Sequence, residues 1–191
     1  VACLANQAGN YLATGQSPKR LGNAHPNIVP YQDFPTADGY MILAIGNDGQ
    51  FARFCAAAGA PQLATDERFA TNRARVVNRT TLIPLLKKLT VERSTAEWIA
   101  KLEALAVPCG PINTLADVFA DPQVQAREMK VTMPHPVAGQ VPLVASPMKL
   151  SATPVDYRLP PPMLGEHTDR ILAATLGLDA AAIARLRADG V

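Results

Sequence analysis

Seventeen prolines in 191 residues, gathered between periodic segments rather than scattered, constrain this chain more than any other feature. Proline fixes φ, removes a backbone donor and pushes the residue before it away from helical angles. Long uninterrupted helices are therefore disfavoured and many sharp changes of direction are required. The densest turn chemistry lies in RLGNAHPNIVPYQDFPTADGYMILAIGND, residues 20–48, where Gly22, Asn23, Pro26, Pro30, Pro35, Asp38 and Gly39 surround two short apolar runs. A loop that long is either disordered or held in one shape for a purpose.

Between the prolines, periodicity places short elements. Val1, Leu4, Ala5, Ala8, Tyr11 and Leu12 share one helical face, and Gly15 follows as a C-cap. This helix begins mid-pattern with no cap and no signal-peptide features, so it reads as cut from a longer chain and the sequence as a C-terminal fragment. YMILAIG (40–46) reads as a strand, and Gln50–Ala58 as a helix burying Phe51, Phe54 and Cys55 and ended by Gly59. Leu82, Leu85, Leu86 and Leu89 form a buried stripe on a helix that Pro84 is expected to kink or restart. Ser94 and Glu97 make a capping box ahead of Trp98, Ile99, Leu102 and Leu105. VPCGPIN (107–113) reads as a rigid turn, and LADVFADPQVQARE as two helices separated at Pro122. Gly139 marks a hairpin within 130–150. A Pro-rich extended connector follows, then two terminal helices, each ended by Gly.

The expected organisation is a helix and loop over 1–26, an α+β module over 27–150, and a connector with terminal helices over 151–191. Those last helices need a surface that the chain itself does not supply.

The formal charge of +2 is too small to argue for nucleic acid or an anionic membrane, and 5% aromatics make no base-stacking surface. No apolar run reaches the roughly 18 residues of a membrane span. Cys3, Cys55 and Cys109 are widely spaced, with no CxxC or Cys/His pairing, which argues against zinc and against a disulfide framework and for a cytoplasmic setting. His25, His135 and His167 each sit in a Pro- or Gly-rich turn and read as loop histidines rather than metal ligands. Cys109 reads as a buried structural thiol. Arg68, Arg73, Arg75 and Arg79 could hold a phosphate-rich ligand, but Asp66 and Glu67 in front of them favour a solvated helix face. Asp33, Asp38 and Asp48 lie in turns, where aspartate bonds nearby backbone. No catalytic residue and no metal site is assigned; by residue chemistry alone this is an α+β domain.

Five stretches carry more. YLATGQSPKRLGNAHPNIVPYQDFPTADGYMILAIGNDGQF, DERFATNRARVVNR, VPCGPIN, DPQVQAREM and PMLGEHTDRIL resemble, in order and spacing, the C-terminal half of class III CoA transferases, the CaiB/BaiF family that includes formyl-CoA transferase. The resemblance implies a small α+β domain plus connections to a Rossmann-like large domain outside this chain, in a homodimer of interlocked rings. It implies that CoA moves between an acyl-CoA and a small carboxylic acid through an aspartyl intermediate, with the coenzyme A thioester as substrate and no other cofactor. The Asp belongs to the large domain and is transferred to no Asp here. The counterpart of the family's glycine-rich active-site loop is Arg20 to His25, which makes Gly22, Asn23, Ala24 and His25 the expected substrate-binding residues. This loop has one glycine where some transferases have several. Two rivals stand beside the transferase: an acyl-CoA racemase or epimerase of the same superfamily, and a non-catalytic module that binds a partner chain.

Overall fold

The structure is a computed structural model and describes residues 2–190. Its contacts group the chain into two compact units, Val1–Asn113 and Thr114–Val191.

The first unit is built on a three-stranded antiparallel sheet in the order β1 (Tyr31–Pro35), β2 (Tyr40–Ala44), β3 (Cys109–Pro111). Phe34 faces Met41 across the first pair and Leu43 faces Cys109 across the second. Because side chains alternate along a strand, one sheet face collects Phe34, Met41 and Leu43, all fully buried. The other face carries Tyr31, Asp33, Ile42, Ala44 and Gly110, which are half-buried or exposed.

Helices cover the apolar face. α1 (Ala5–Thr14) precedes the sheet; α2 (Asp48–Ala57) and α3 (Gln62–Thr65) follow β2. α4 (Asn72–Val77), α5 (Arg79–Thr90) and α6 (Thr95–Ala104) then lead into β3. Phe51, Phe54, Cys55, Phe69, Leu82, Leu86, Trp98 and Leu102 close the core against the sheet. Trp98 is wholly buried and its indole N–H donates to the Thr90 carbonyl at 2.7 Å, so burial leaves no polar atom unpaired there.

Most caps fall where the sequence signals them. Gly15 (φ 69°) ends α1 with its N–H on the Tyr11 carbonyl, and Gly59 (φ 73°) follows α2. The Ser94–Glu97 capping box is complete. α2 begins two residues earlier than the spacing predicts, because Asn47 accepts from the Gln50 N–H at 2.9 Å and so caps it.

Three elements differ from expectation. The turn-rich stretch contains strand β1, paired along its length with β2. VPCGPIN supplies β3 rather than a free turn. α5 runs through Pro84 without a break; the helix boundary falls at Asn78 instead, whose side-chain amide donates to the Arg68 and Ala74 carbonyls at 3.1 and 3.0 Å.

The second unit holds α7 (Leu115–Ala120) and α8 (Pro122–Ala126), with Asp121 capping α8 and Pro122 at its first position. The hairpin β4 (Lys130–His135) and β5 (Gly139–Val144) forms a two-stranded sheet of its own. A largely irregular segment leads to α9 (Thr168–Leu176) and α10 (Ala180–Ala188). The hairpin closes on itself and falls in the same unit as these last helices. Among the described residues no helix is long and apolar enough to cross a membrane.

Candidate functional site

The segment HPNIVP, residues 25–30, is fastened from two sides. Asn72 and Arg75 of α4 and Arg79, the first residue of α5, all reach the loop with their side chains. The Asn72 side chain accepts from the Val29 N–H at 3.1 Å and donates to the Asn27 carbonyl at 2.8 Å. Arg75 is fully buried; it donates to the Val29 carbonyl at 2.6 Å, to the Phe69 carbonyl at 2.9 Å and to Asp48 at 2.8 Å, over the Phe51 ring. Arg79 donates to two successive carbonyls, His25 at 3.1 Å and Pro26 at 2.7 Å. Asp48 also accepts from the Asn72 backbone N–H at 2.8 Å, locking the start of α4 to the start of α2.

From the other side comes α1. Asn6 and Asn10, one turn apart, face the loop: Asn10 and Asn27 exchange amide hydrogen bonds at 3.1 and 3.0 Å, and the Asn6 amide lies 3.1 Å from His25 Nε2. The His25 ring stacks on Tyr31 with centroids 5.3 Å apart and planes 12° from parallel, while its backbone N–H donates to the Tyr31 carbonyl. Nδ1 accepts from the Asn27 N–H at 3.1 Å, so both ring nitrogens of His25 are engaged.

The expected substrate-binding residues lie at one end of this fastened segment. Ala24 N–H donates to the Leu21 carbonyl at 3.1 Å, closing a turn in which Gly22 takes φ 63°. Gly22 and Asn23 are exposed at its tip, and Ala24 and His25 are half-buried at its base. The opening question of disorder against a fixed shape resolves as a held base with an exposed turn. Since His25 stacks on Tyr31, the turn borders the sheet face that helices leave uncovered.

The reading of the arginines needs correction. Arg75 and Arg79 are not a solvated face: their donors go to backbone carbonyls of a loop 46 and 54 residues away. Arg68 does pair locally, with Asp66 at 2.7 Å, and that guanidinium holds the Asp66 carboxyl below its usual range.

Other candidate groups are structural. Asp38 accepts from the Thr95 N–H and the Thr95 and Thr36 hydroxyls, and these bonds, the Thr95 N–H foremost, lower its pKa. Burial pushes the Cys55 thiol up to about 12, and burial with a smaller contribution from Glu103 raises Cys109, so neither is a poised nucleophile. His135 Nδ1 accepts from the Val137 and Ala138 N–H groups and shapes the β4–β5 turn. No three His, Cys, Asp or Glu side chains among the described residues are grouped to hold a metal ion.

Comparison with known proteins bears on these features together. The sequence profile of CoA-transferase family III matches residues 1–168. The chain is 48% identical over 172 residues to a succinate–glutarate CoA-transferase of Agrobacterium fabrum, covering 90% of this chain and 43% of that protein. It is 40% identical over all 191 residues to the human succinyl-CoA:glutarate CoA-transferase, covering 44% of it. In structure it is similar to a CAIB/BAIF family protein from Brucella suis, with a TM-score of 0.75 and 49% identity over 91% of this chain and 44% of that one. The chain thus spans less than half the length of the relatives it matches. With a profile match across nearly the whole sequence and relatives this similar over nine-tenths of it or more, the chain belongs to CoA-transferase family III.

Proposed function

We propose that the protein carrying this chain moves coenzyme A between an acyl-CoA and a small carboxylic acid, with short dicarboxylates such as succinate and glutarate as the acids. The 48% identity to a succinate–glutarate CoA-transferase is the observation that carries this reading. In the reaction, an enzyme carboxylate outside this chain attacks the thioester carbon, CoA thiolate leaves, and a mixed anhydride forms. The thiolate then attacks the enzyme's own carbonyl, the first acid departs, and an acceptor carboxylate reverses both steps. Asp38 and Asp48 are ill suited to that attack, since each is spent on fastening loops.

Gly22, Asn23, Ala24 and His25 form a wall of the acyl site. The exposed Gly22–Asn23 peptide presents backbone N–H groups toward an acyl carboxylate or oxyanion. The wall also keeps water from an anhydride that hydrolyses readily. The protein works as an interlocked homodimer, a reading supported by exposed apolar side chains of α1 such as Leu12, 82% exposed among the described residues. The free state of Cys3, Cys55 and Cys109 supports a reducing, cytoplasmic setting.

The test is the full-length protein with succinyl-CoA and glutarate, following glutaryl-CoA and succinate by mass. Stoichiometric exchange is expected. Deuterium entering the α-carbon from solvent with no acceptor present would instead make it a racemase, and the absence of both activities would leave a partner-binding module.

A further inference from the structure

We propose that Arg79 is a positioning residue for CoA transfer: by holding the His25 and Pro26 carbonyls it keeps the Gly22–His25 wall closed to water. The proposal rests on the transferase reading above. Among the three residues that clamp the loop from α4 and α5, Arg79 is set apart by its partners. Arg75 also binds Phe69 and Asp48, and Asn72 also ties α4 to α2, so both serve the core. The hydrogen bonds of the Arg79 side chain, by contrast, go to the loop alone, at 3.1 and 2.7 Å. Arg79 is half-buried and in no ion pair among the described residues, and burial lowers its pKa. With no carboxylate partner there, its charge-assisted hydrogen bonds are directed at the two loop carbonyls. Its position makes sense if two adjacent carbonyls at the base of the wall have to be held in one orientation.

Loss of these donors frees the turn to move away from the acyl site. Water then competes with the acceptor acid: the acyl C–S bond breaks, a C–O bond to water forms, and the products are the free acid and CoA thiol. The reporting quantity is the ratio of hydrolysis to transfer, which a loss of folded protein alone does not alter.

The experiment uses the full-length enzyme with succinyl-CoA and glutarate, and compares wild type, Arg79→Met, Arg79→Lys and Leu82→Ala. Leu82 is a fully buried core residue of α5 and controls for destabilisation. Arg79→Met is expected to raise the hydrolysis-to-transfer ratio about tenfold, the effect of losing charge-assisted hydrogen bonds. Arg79→Lys should restore part of the difference, and Leu82→Ala should leave the ratio unchanged. Amide exchange at His25, Asn27 and Val29 should quicken in Arg79→Met. An unchanged ratio in Arg79→Met, or an equal rise in Leu82→Ala, overturns the proposal. If Arg79→Met does not fold, Arg79→Gln takes its place: a raised ratio supports the proposal and an unchanged one overturns it. A wild-type enzyme that transfers no CoA overturns the transferase reading and this proposal together; one that transfers normally beside an unaltered Arg79→Met overturns this proposal alone.

Discussion

At the scale of single residues, the Arg75 guanidinium joins the loop, through the Val29 carbonyl, to the Phe69 carbonyl and Asp48. Arg75 belongs to a polar run that looks solvated, yet it is completely buried against the Phe51 ring and backbone carbonyls. The signal is hard to see in sequence because its partners are carbonyl groups, which every residue has. The one available cue is a proline-rich loop with few donors of its own, whose carbonyls must find partners elsewhere. Replacing Arg75 by Met leaves the Val29 and Phe69 carbonyls unpaired and should cost about 3 kcal/mol, read as a lower urea midpoint at unchanged slope. Asp38 is the opposite case: its turn role was legible, although its partner across the unit, Thr95, was not. Its folded pKa is lowered, chiefly by the Thr95 N–H. Its contribution is therefore complete above the ordinary aspartate pKa of about 3.9 and is lost as pH falls through the lower folded value. Asp38→Asn should thus melt below wild type at pH 7, and the gap should close as pH falls below about 4.

Elements divide by how much local signal they carry. Helices with a cap and a full apolar stripe, α2 and α6, were legible to within two residues because both signals are local. β1 was missed because YQDFP is five residues long, ends in proline and mixes polar with aromatic positions; its pairing with β2 supplies what its composition lacks. β3 has three residues and is a strand only because β2 lies beside it. Of the expected site, the position of the turn was legible and its fastening was not. At Gly22 the constraint is backbone rather than space: a β-carbon there would meet nothing within 4 Å, but φ is +63°. A β-branched residue pays about 1–2 kcal/mol in that conformation, and the exposed turn has alternatives that relieve it. Gly22→Val should therefore lower turnover of the full-length enzyme several-fold with little change in melting temperature, whereas Gly22→Asn, which tolerates positive φ, should retain most activity. Equal loss in both variants would show that the side chain, not the angle, is what matters.

For the whole molecule, the two units differ in how much they bury. The first holds a continuous core from Val29 to Val107, while in the second Met133, Ala145 and Ile183 are the buried apolar residues among those described. Amides of β1, β2, α5 and α6 should therefore exchange with solvent orders of magnitude more slowly than those of β4 and β5 in this chain. Slow exchange throughout 130–144 would contradict that ranking. Thiol accessibility gives an independent check: Cys3 is exposed and should react at once with a disulfide reagent, while Cys55, buried, should react only after unfolding. The clamp also carries a consequence for synthesis. Val29 and Arg75 are 46 residues apart, and His25 and Arg79 are 54 apart. A ribosome delivers the loop well before the side chains of α4 and α5 that shape it, so until these emerge the nascent HPNIVP segment has only the Asn6 and Asn10 contacts of α1 to hold it. The loop is among the earliest parts of this unit to be made, yet its fastening waits until α2 and α3 have followed it.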